Sequence, residues 1–208
     1  MFGSIILAGG RALRLGRDKL QEEVGGRPVL QRVVDTLKLL SDDIIIVINQ
    51  TPSLPGGYNG SAIKVVSDIF PAGGPLGGLY SGLAASSASH NMVVAGDMPF
   101  LNLSLLRYML DITGAGGSNR EAAFDVVIPR INGFIEPLHA VYSRRCLPYV
   151  KQEVESGRCN IRSFFPKVKV KYIENAEIDL FDRQHLSFFN INDEEDLTKA
   201  REIAKKID

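Results

Sequence analysis

Between Leu7 and Lys19 the sequence reads LAGGRALRLGRDK, a stretch that joins backbone permissiveness to positive charge. Glycine reaches φ values closed to other residues and lets a ligand approach the main chain, so successive N–H groups around Gly9, Gly10 and Gly16 can face phosphate oxygens. Arg14, Arg17 and Lys19 supply the compensating charge. The stretch reads as a polyphosphate cradle or, in the plainer alternative, as a surface loop with solvated arginines. Neither GxxxxGK[ST] nor GxGxxG occurs in it, so no standard nucleotide fingerprint makes the case. Asp97, in Ala95-Gly96-Asp97-Met98-Pro99, closes an apolar run. A carboxylate there is a hard oxygen ligand suited to Mg²⁺ shared with substrate phosphates, or else a cap for the loop that follows.

Asn49 and Asp68 also stand where apolar runs end, placed to meet a base or ribose or merely to close turns. Gly73-Gly74-Pro75-Leu76-Gly77-Gly78 puts glycines on both sides of a helix start, which suits close passage of a flat ligand or tight helix-to-strand packing. In Asn190-Ile191-Asn192 the two amides share one face of an extended segment, and Asn192 with Glu195 fits an N-cap pair. His90, His139 and His185 share no ligand spacing and read as structural or surface residues. Cys146 and Cys159 form no CxxC and read as reduced thiols. No G-x-S-x-G elbow is present, so nucleophilic serine chemistry has no support.

The elements that must position these residues follow from periodicity. The runs 4–8, 44–49, 62–68 and 92–97 are short, apolar and rich in β-branched residues, as interior parallel strands are. Between them lie helical spacings from about 28 to 40, opened by Pro28, and from Pro75 through Leu83. Asn102 is placed to cap a helix carrying Leu105, Leu106, Met109 and Leu110. Strands alternating with helices imply right-handed βαβ units and helices on both faces of the sheet. After a glycine-rich loop at 114–119, the runs 125–130 and 134–142 predict a more antiparallel part. The run 168–173, with Lys167, Lys169 and Lys171, predicts an edge strand. A last helix is expected over 193–207. The expected fold is a single-domain, Rossmann-like three-layer α/β sandwich, with a mostly parallel sheet and an antiparallel extension in its C-terminal half. In such sheets ligands bind outside the carboxyl ends of the strands, where Gly9, Asn49, Asp68 and Asp97 all fall.

Composition narrows the partners. The chain has 208 residues, with Lys plus Arg equal to Asp plus Glu at 24 each, so no global field favours nucleic acid or an anionic membrane. Its longest aliphatic run is far below the roughly 20 residues of a bilayer span, and the start lacks a basic region, which predicts a cytoplasmic protein.

Taken in order, LAGGRALRLGRDK, Asn49, Asp68, GGPLGGL, GDMPFL and NINDEEDL resemble the nucleotidyltransferases of the molybdenum cofactor, and within them the guanylyltransferases. The likeness runs from Leu7 to Leu197. It implies transfer of GMP from GTP to molybdopterin, release of pyrophosphate and a requirement for Mg²⁺. It also implies one domain over 1–208, with a nucleotide-binding half (1–112) and an acceptor-binding half (120–208), and transient contact with other cofactor-biosynthesis proteins. Carried onto this chain, the resemblance places Leu7, Ala8 and Gly9 against guanine and Lys19 on phosphate. Asn49 and Asp68 become further GTP contacts, Asp97 holds metal, and Asn190 and Asn192 lie near the active site on the acceptor side. Gly10, Arg14 and Gly16 complete the loop. Gly96 stands where similar enzymes commonly have Cys, Ala12 where they have Ser, and Leu15 where they have Met. Related alternatives are a molybdopterin cytidylyltransferase or a sugar-phosphate nucleotidyltransferase, and outside enzymes a nucleotide-binding regulator. The pair Gly9-Gly10 favours guanylyl over cytidylyl transfer, and retention of both Lys19 and Asp97 favours an enzyme over a regulator.

Overall fold

The structure is a computed structural model that describes residues 2–9, 18–49, 63–114 and 123–207. In chain order it contains β1 (Phe2–Leu7), the small hairpin strands β2 (Glu23–Val24) and β3 (Arg27–Pro28), α1 (Val29–Lys38), β4 (Ile44–Ile48), β5 (Ile63–Ser67), α2 (Gly74–Ala85), β6 (His90–Ala95) and α3 (Leu103–Ile112). There follow β7 (Val126–Ile131), β8 (Phe134–Ile135), β9 (His139–Ser143), α4 (Leu147–Glu155), β10 (Val170–Glu174), the single turn α5 (Asn175–Ile178) and α6 (Glu194–Ile207). The main sheet has the order β10-β7-β9-β6-β1-β4-β5, with β8 paired to β7.

β1 pairs in parallel with both β4 and β6, and β4 with β5. The chain therefore moves outward from β1 on one side through β4 and β5, then crosses back to the other side at β6. That reversal opens a crevice at the carboxyl ends of β1, β4 and β6, where open α/β sheets bind ligands. β9 is antiparallel to its neighbours β6 and β7, while β10 runs parallel to β7 at the sheet edge. The antiparallel extension is thus one inserted strand and a short hairpin, and β10 occupies the edge that its lysines suggested.

Unbroken apolar strands arise because both faces are covered. Ile6, Ile44, Ile46 and Val94 face α1 and α3, which contribute Leu30, Val33, Val34, Leu37, Leu105, Leu106 and Met109. Their neighbours Ile5, Ile45, Val47 and Val93 face the other way, toward Leu76, Leu79 and Leu83 of α2 and Val150 and Val154 of α4. α6 lays Leu197, Ala200 and Ala204 over Val24, Val29, Phe100 and Ile191, tying the C-terminus to the first hairpin.

Several expectations need correction. The run 134–142 is not one strand: Pro137, which has no N–H to donate, sits in a turn closed by His139 N–H to Glu136 O at 3.1 Å. Pro28 is the residue before α1 and not its first helical position. α4, with Pro148 in its first turn and Val150 and Val154 buried, was not anticipated. The glycine-rich loop at 114–119 falls outside the described residues beyond Gly114. Among the described residues no helix is long and apolar enough to cross a membrane.

Candidate active site

The strand ends are knitted together by main-chain hydrogen bonds that continue past the strands. Ala8 N–H donates to Val47 O at 2.8 Å, Gly96 N–H to Leu7 O at 3.0 Å and Asp68 N–H to Ile48 O at 2.7 Å. These bonds fix the start of the first loop, the Asp97 loop and the Asp68 turn in one rigid edge. Asn49 reaches across that edge to donate its side-chain amide to Gly9 O. Gly9 must be glycine for a local reason, since a Cβ there would lie 2.4 Å from Asn49 Oδ1 and 2.8 Å from its Cγ.

At the end of β6, Asp97 Oδ2 accepts a hydrogen bond from the Lys19 ammonium at 2.5 Å. The two side chains are only 14% and 17% exposed, so the pair is partly withdrawn from water. Lys19 also donates to Ile191 O at 2.9 Å, and Ile191 N–H donates to Asp97 O at 3.1 Å. One peptide near the C-terminus therefore grips the lysine from the first loop and the aspartate from β6 together. Asp97 Oδ1 is buried and has no hydrogen-bond partner. Such a carboxylate oxygen is costly to bury unsatisfied, and its hard-donor chemistry fits a divalent cation. Among the described residues no cluster of three or more His, Cys, Asp and Glu side chains could hold a metal by itself, so a cation at Asp97 would take further ligands from substrate oxygens or water.

The loop carrying Asp97 is braced from two sides. Arg32 of α1 donates to Pro99 O and Val24 O, each at 3.2 Å, and its guanidinium lies 5.4 Å from the Phe100 ring centroid. Asn102 caps α3 by accepting from Leu105 N–H at 3.0 Å, as expected, and also ties the loop to the C-terminal segment through Phe181 O at 2.9 Å and Ser187 Oγ at 2.8 Å. Arg32 and the Ile191 peptide were missed from the sequence. Arg32 lies beside the buried stripe of Val29, Leu30, Val33, Val34 and Leu37 and reads as an ordinary flanking charge, and a backbone clasp has no side-chain signature at all.

Asp68 is more ordinary. Its Oδ1 accepts from Phe70 N–H at 2.9 Å and lies 2.8 Å from the Ser81 hydroxyl, which in turn accepts from Ile69 N–H at 2.8 Å. That oxygen closes a turn onto α2. Gly77 is required there, because a Cβ would stand 2.2 Å from Phe70 O. The Asn192–Glu195 cap is replaced by another pair: Asp193 caps α6 by accepting from Asp196 N–H at 3.0 Å, while Asp196 accepts from Asn192 N–H at 2.9 Å. Asn190 is half-buried and donates to Phe188 O at 3.1 Å, and Asn192 is exposed, so the two flank the Ile191 clasp. Gly10, Arg14 and Gly16 lie outside the described residues.

The histidines stand apart from this arrangement. His90 contacts Phe124 O at 3.1 Å and His185 pairs with Asp179 at 2.7 Å. His139 is fully buried on β9 with neither ring nitrogen partnered, and burial lowers its pKa to about 4. Burial likewise pushes the Cys146 thiol up to about 12, so it is inert at neutral pH. Cys159 is exposed and also free.

Residues 4–169, most of the sheet and every one of these strand ends, match the MobA-like NTP transferase domain. The chain belongs to the MobA-like NTP transferase family. A molybdenum cofactor guanylyltransferase of Desulfosudis oleivorans is 35% identical over 97% of this chain and 95% of its own length. A second relative of that name, from Syntrophotalea carbinolica, is 32% identical over 96% of this chain and 91% of its own. In fold the chain is similar to the crystal structure of molybdopterin-guanine dinucleotide biosynthesis protein A from Archaeoglobus fulgidus, with a TM-score of 0.81 and 24% identity over 99% of this chain and 100% of that one. Its family resemblance to molybdenum cofactor guanylyltransferases and its expected fold class are thus both borne out, and the protein is a nucleotidyltransferase. The departure at Gly96 is sterically benign, because a Cβ there would make ordinary contacts, 3.4 Å from Leu20 Cδ2 and 3.5 Å from Leu7 O.

Proposed function

We propose that this nucleotidyltransferase transfers GMP from GTP to molybdopterin in the cytoplasm, releasing pyrophosphate, with Mg²⁺ as its metal. The observation that carries the reading is the pairing of Lys19 with Asp97 at the crossover edge, one oxygen of Asp97 being left open in a buried setting. Leu7, Ala8 and Gly9, with Asn49 and Asp68, line the nucleotide side, and Gly10, Arg14 and Gly16 are assigned to GTP from the sequence resemblance. Lys19 holds a phosphate oxygen, its ammonium having three N–H donors to distribute among Asp97, Ile191 O and the phosphate. Asp97 holds the divalent cation, which when bound supplies charge neutralisation between the triphosphate and the incoming phosphate. Asn190 and Asn192, beside the clasp, face the acceptor, so that the two halves 1–112 and 120–208 meet at Ile191.

The acceptor needs little activation. A phosphate monoester with a second pKa near 6 is already largely a dianion at neutral pH, so the reaction requires no general base. The obstacle is repulsion between anions, which Lys19 and the main-chain N–H groups of the glycine loop offset while aligning in-line attack at the α-phosphorus. This accounts for a site built without a nucleophilic Ser or Cys.

The test is a thermal-shift panel of GTP, CTP, ATP and UTP with Mg²⁺, followed by pyrophosphate release with molybdopterin as acceptor. A ligand that binds the native state alone raises its melting temperature by mass action. GTP should give the largest shift and sustain turnover. A larger shift with CTP would reassign the base, and no pyrophosphate release with molybdopterin would overturn the acceptor.

A further inference from the structure

Resting on the reading above, we infer that Lys19 is the built-in counter-ion of Asp97 in the nucleotide-free protein, so that this chain resists a divalent cation on its own and admits it together with the triphosphate. The geometry shows a carboxylate already neutralised. The ammonium lies 2.5 Å from Asp97 Oδ2 and is held there by a second hydrogen bond, to Ile191 O at 2.9 Å. Ile191 is itself fully buried, with its N–H on Asp97 O, so the acceptor of that second bond cannot drift away from the aspartate. A dication approaching Asp97 Oδ1 meets a carboxylate whose charge is cancelled and a positive group a few ångströms away.

A polyphosphate changes this balance. Its oxygens compete for the ammonium, weaken its hold on Asp97 and return a full negative charge to the carboxylate. Because coupling between two binding events is reciprocal, whatever the nucleotide gains from the cation the cation gains from the nucleotide. The consequence concerns the chain's own residues: removal of the lysine charge has opposite effects on the two ligands. It weakens nucleotide binding, as loss of a phosphate contact must, yet strengthens binding of the cation alone. A lysine that merely touched phosphate would leave cation-only binding unchanged.

The experiment titrates Mn²⁺ into nucleotide-free protein and reads free Mn²⁺ by electron paramagnetic resonance, for wild type, Lys19→Met, Lys19→Gln, Asp97→Asn and the double variant Lys19→Met/Asp97→Asn. Both Lys19 variants should bind Mn²⁺ more tightly than wild type, on the order of tenfold, the factor that corresponds to about 1.4 kcal/mol of relieved competition. The gain should vanish in the double variant. Mn²⁺ alone should also raise the melting temperature of Lys19→Met more than that of wild type, and Lys19→Gln guards against a packing defect particular to methionine. Equal or weaker Mn²⁺ binding by both Lys19 variants overturns the counter-ion. If Asp97→Asn then still weakens Mn²⁺·GTP binding, the metal assignment of the proposed function stands without it. Mn²⁺·GTP binding unchanged by Asp97→Asn overturns both.

Discussion

A methyl group added at Gly9 tests the construction of the site with a number attached. The three atoms nearest to such a Cβ all belong to Asn49, at 2.4, 2.8 and 3.2 Å, so one side chain accounts for the collision. The Gly9 backbone is not in the left-handed region, and alanine is otherwise compatible with it. In Gly9→Ala the Asn49 amide must swing away, losing its hydrogen bond to Gly9 O for about 1 kcal/mol and adopting a poorer rotamer for about another 1 kcal/mol. Asn49→Ala loses the same bond, again about 1 kcal/mol. The double variant has no collider, and alanine's smaller unfolded-state entropy returns about 0.4–1 kcal/mol, so it should be no less stable than Asn49→Ala alone. The expected coupling is therefore roughly 2 kcal/mol, well outside the scatter of independent sites. Urea unfolding of the four proteins measures it, and titration with GTP shows whether the methyl also obstructs the nucleotide in both backgrounds. Stability costs that simply add would refute the contact geometry.

Three further outcomes follow from the described residues. Asp97→Asn should weaken binding of the metal–GTP complex and lower kcat of GMP transfer by a larger factor, about 100-fold or more, as for a group whose charge matters most in the transition state; wild-type turnover in a pyrophosphate assay would return Asp97 to a capping role. Glu153, buried on α4 between Lys167 and Arg158 at 2.8 and 2.7 Å, has its pKa held down to about 2 by those hydrogen bonds, so it contributes stability above its unfolded value that is lost as pH falls from about 4.5 toward 2. Glu153→Gln should be less stable near pH 7 but lose less on acidification, and parallel acid-unfolding curves would contradict this. His139 stays neutral in the fold down to about pH 4, whereas the unfolded chain takes up a proton near pH 6.5, so stability falls as pH drops through that interval. His139→Leu should abolish that slope, for a relative gain of about 2 kcal/mol at pH 5 over pH 8 in chemical denaturation; an unchanged pH dependence would show that another group carries it.

The framework was legible because both faces of the sheet are covered, which turns each central strand into a plain apolar run such as Ile44–Ile48. Polar punctuation at Asn49, Asp68 and Asp97 then marked the carboxyl edge, and Asn102 announced its helix by type and position. The split at Pro137 was harder, because apolar residues on either side of the turn preserve the look of one strand. α4 was obscured by its low apolar content, since Glu153, a buried acid, occupies a core-facing position. Lys19 stood out as a charge in the loop after β1 and Asp97 as a carboxylate closing an apolar run, but their mutual contact spans 78 positions and no local pattern encodes it. The Ile191 clasp acts through a peptide group, which every residue but proline possesses, so its side chain carried no hint. Asn190 and Asn192 drew attention to the right segment for a different reason.

The Ile191 clasp also dates the assembly of the Lys19–Asp97 pair during synthesis of the chain. Lys19 and the carbonyl that steadies it are 172 positions apart, and a ribosome adding about 5–20 residues per second needs roughly 10–30 s to cover that distance. During that interval β1, β4, β5 and β6 are made with Lys19 and Asp97 while the peptide that grips the pair is still missing. Arg201 of α6, bonded to Glu22 Oε2 at 3.0 Å and Glu23 O at 3.0 Å, then fastens α6 beside the first hairpin. A chain interrupted before Ile191 therefore has the strand edge and both charged side chains but lacks the peptide that grips Lys19 and Asp97 together.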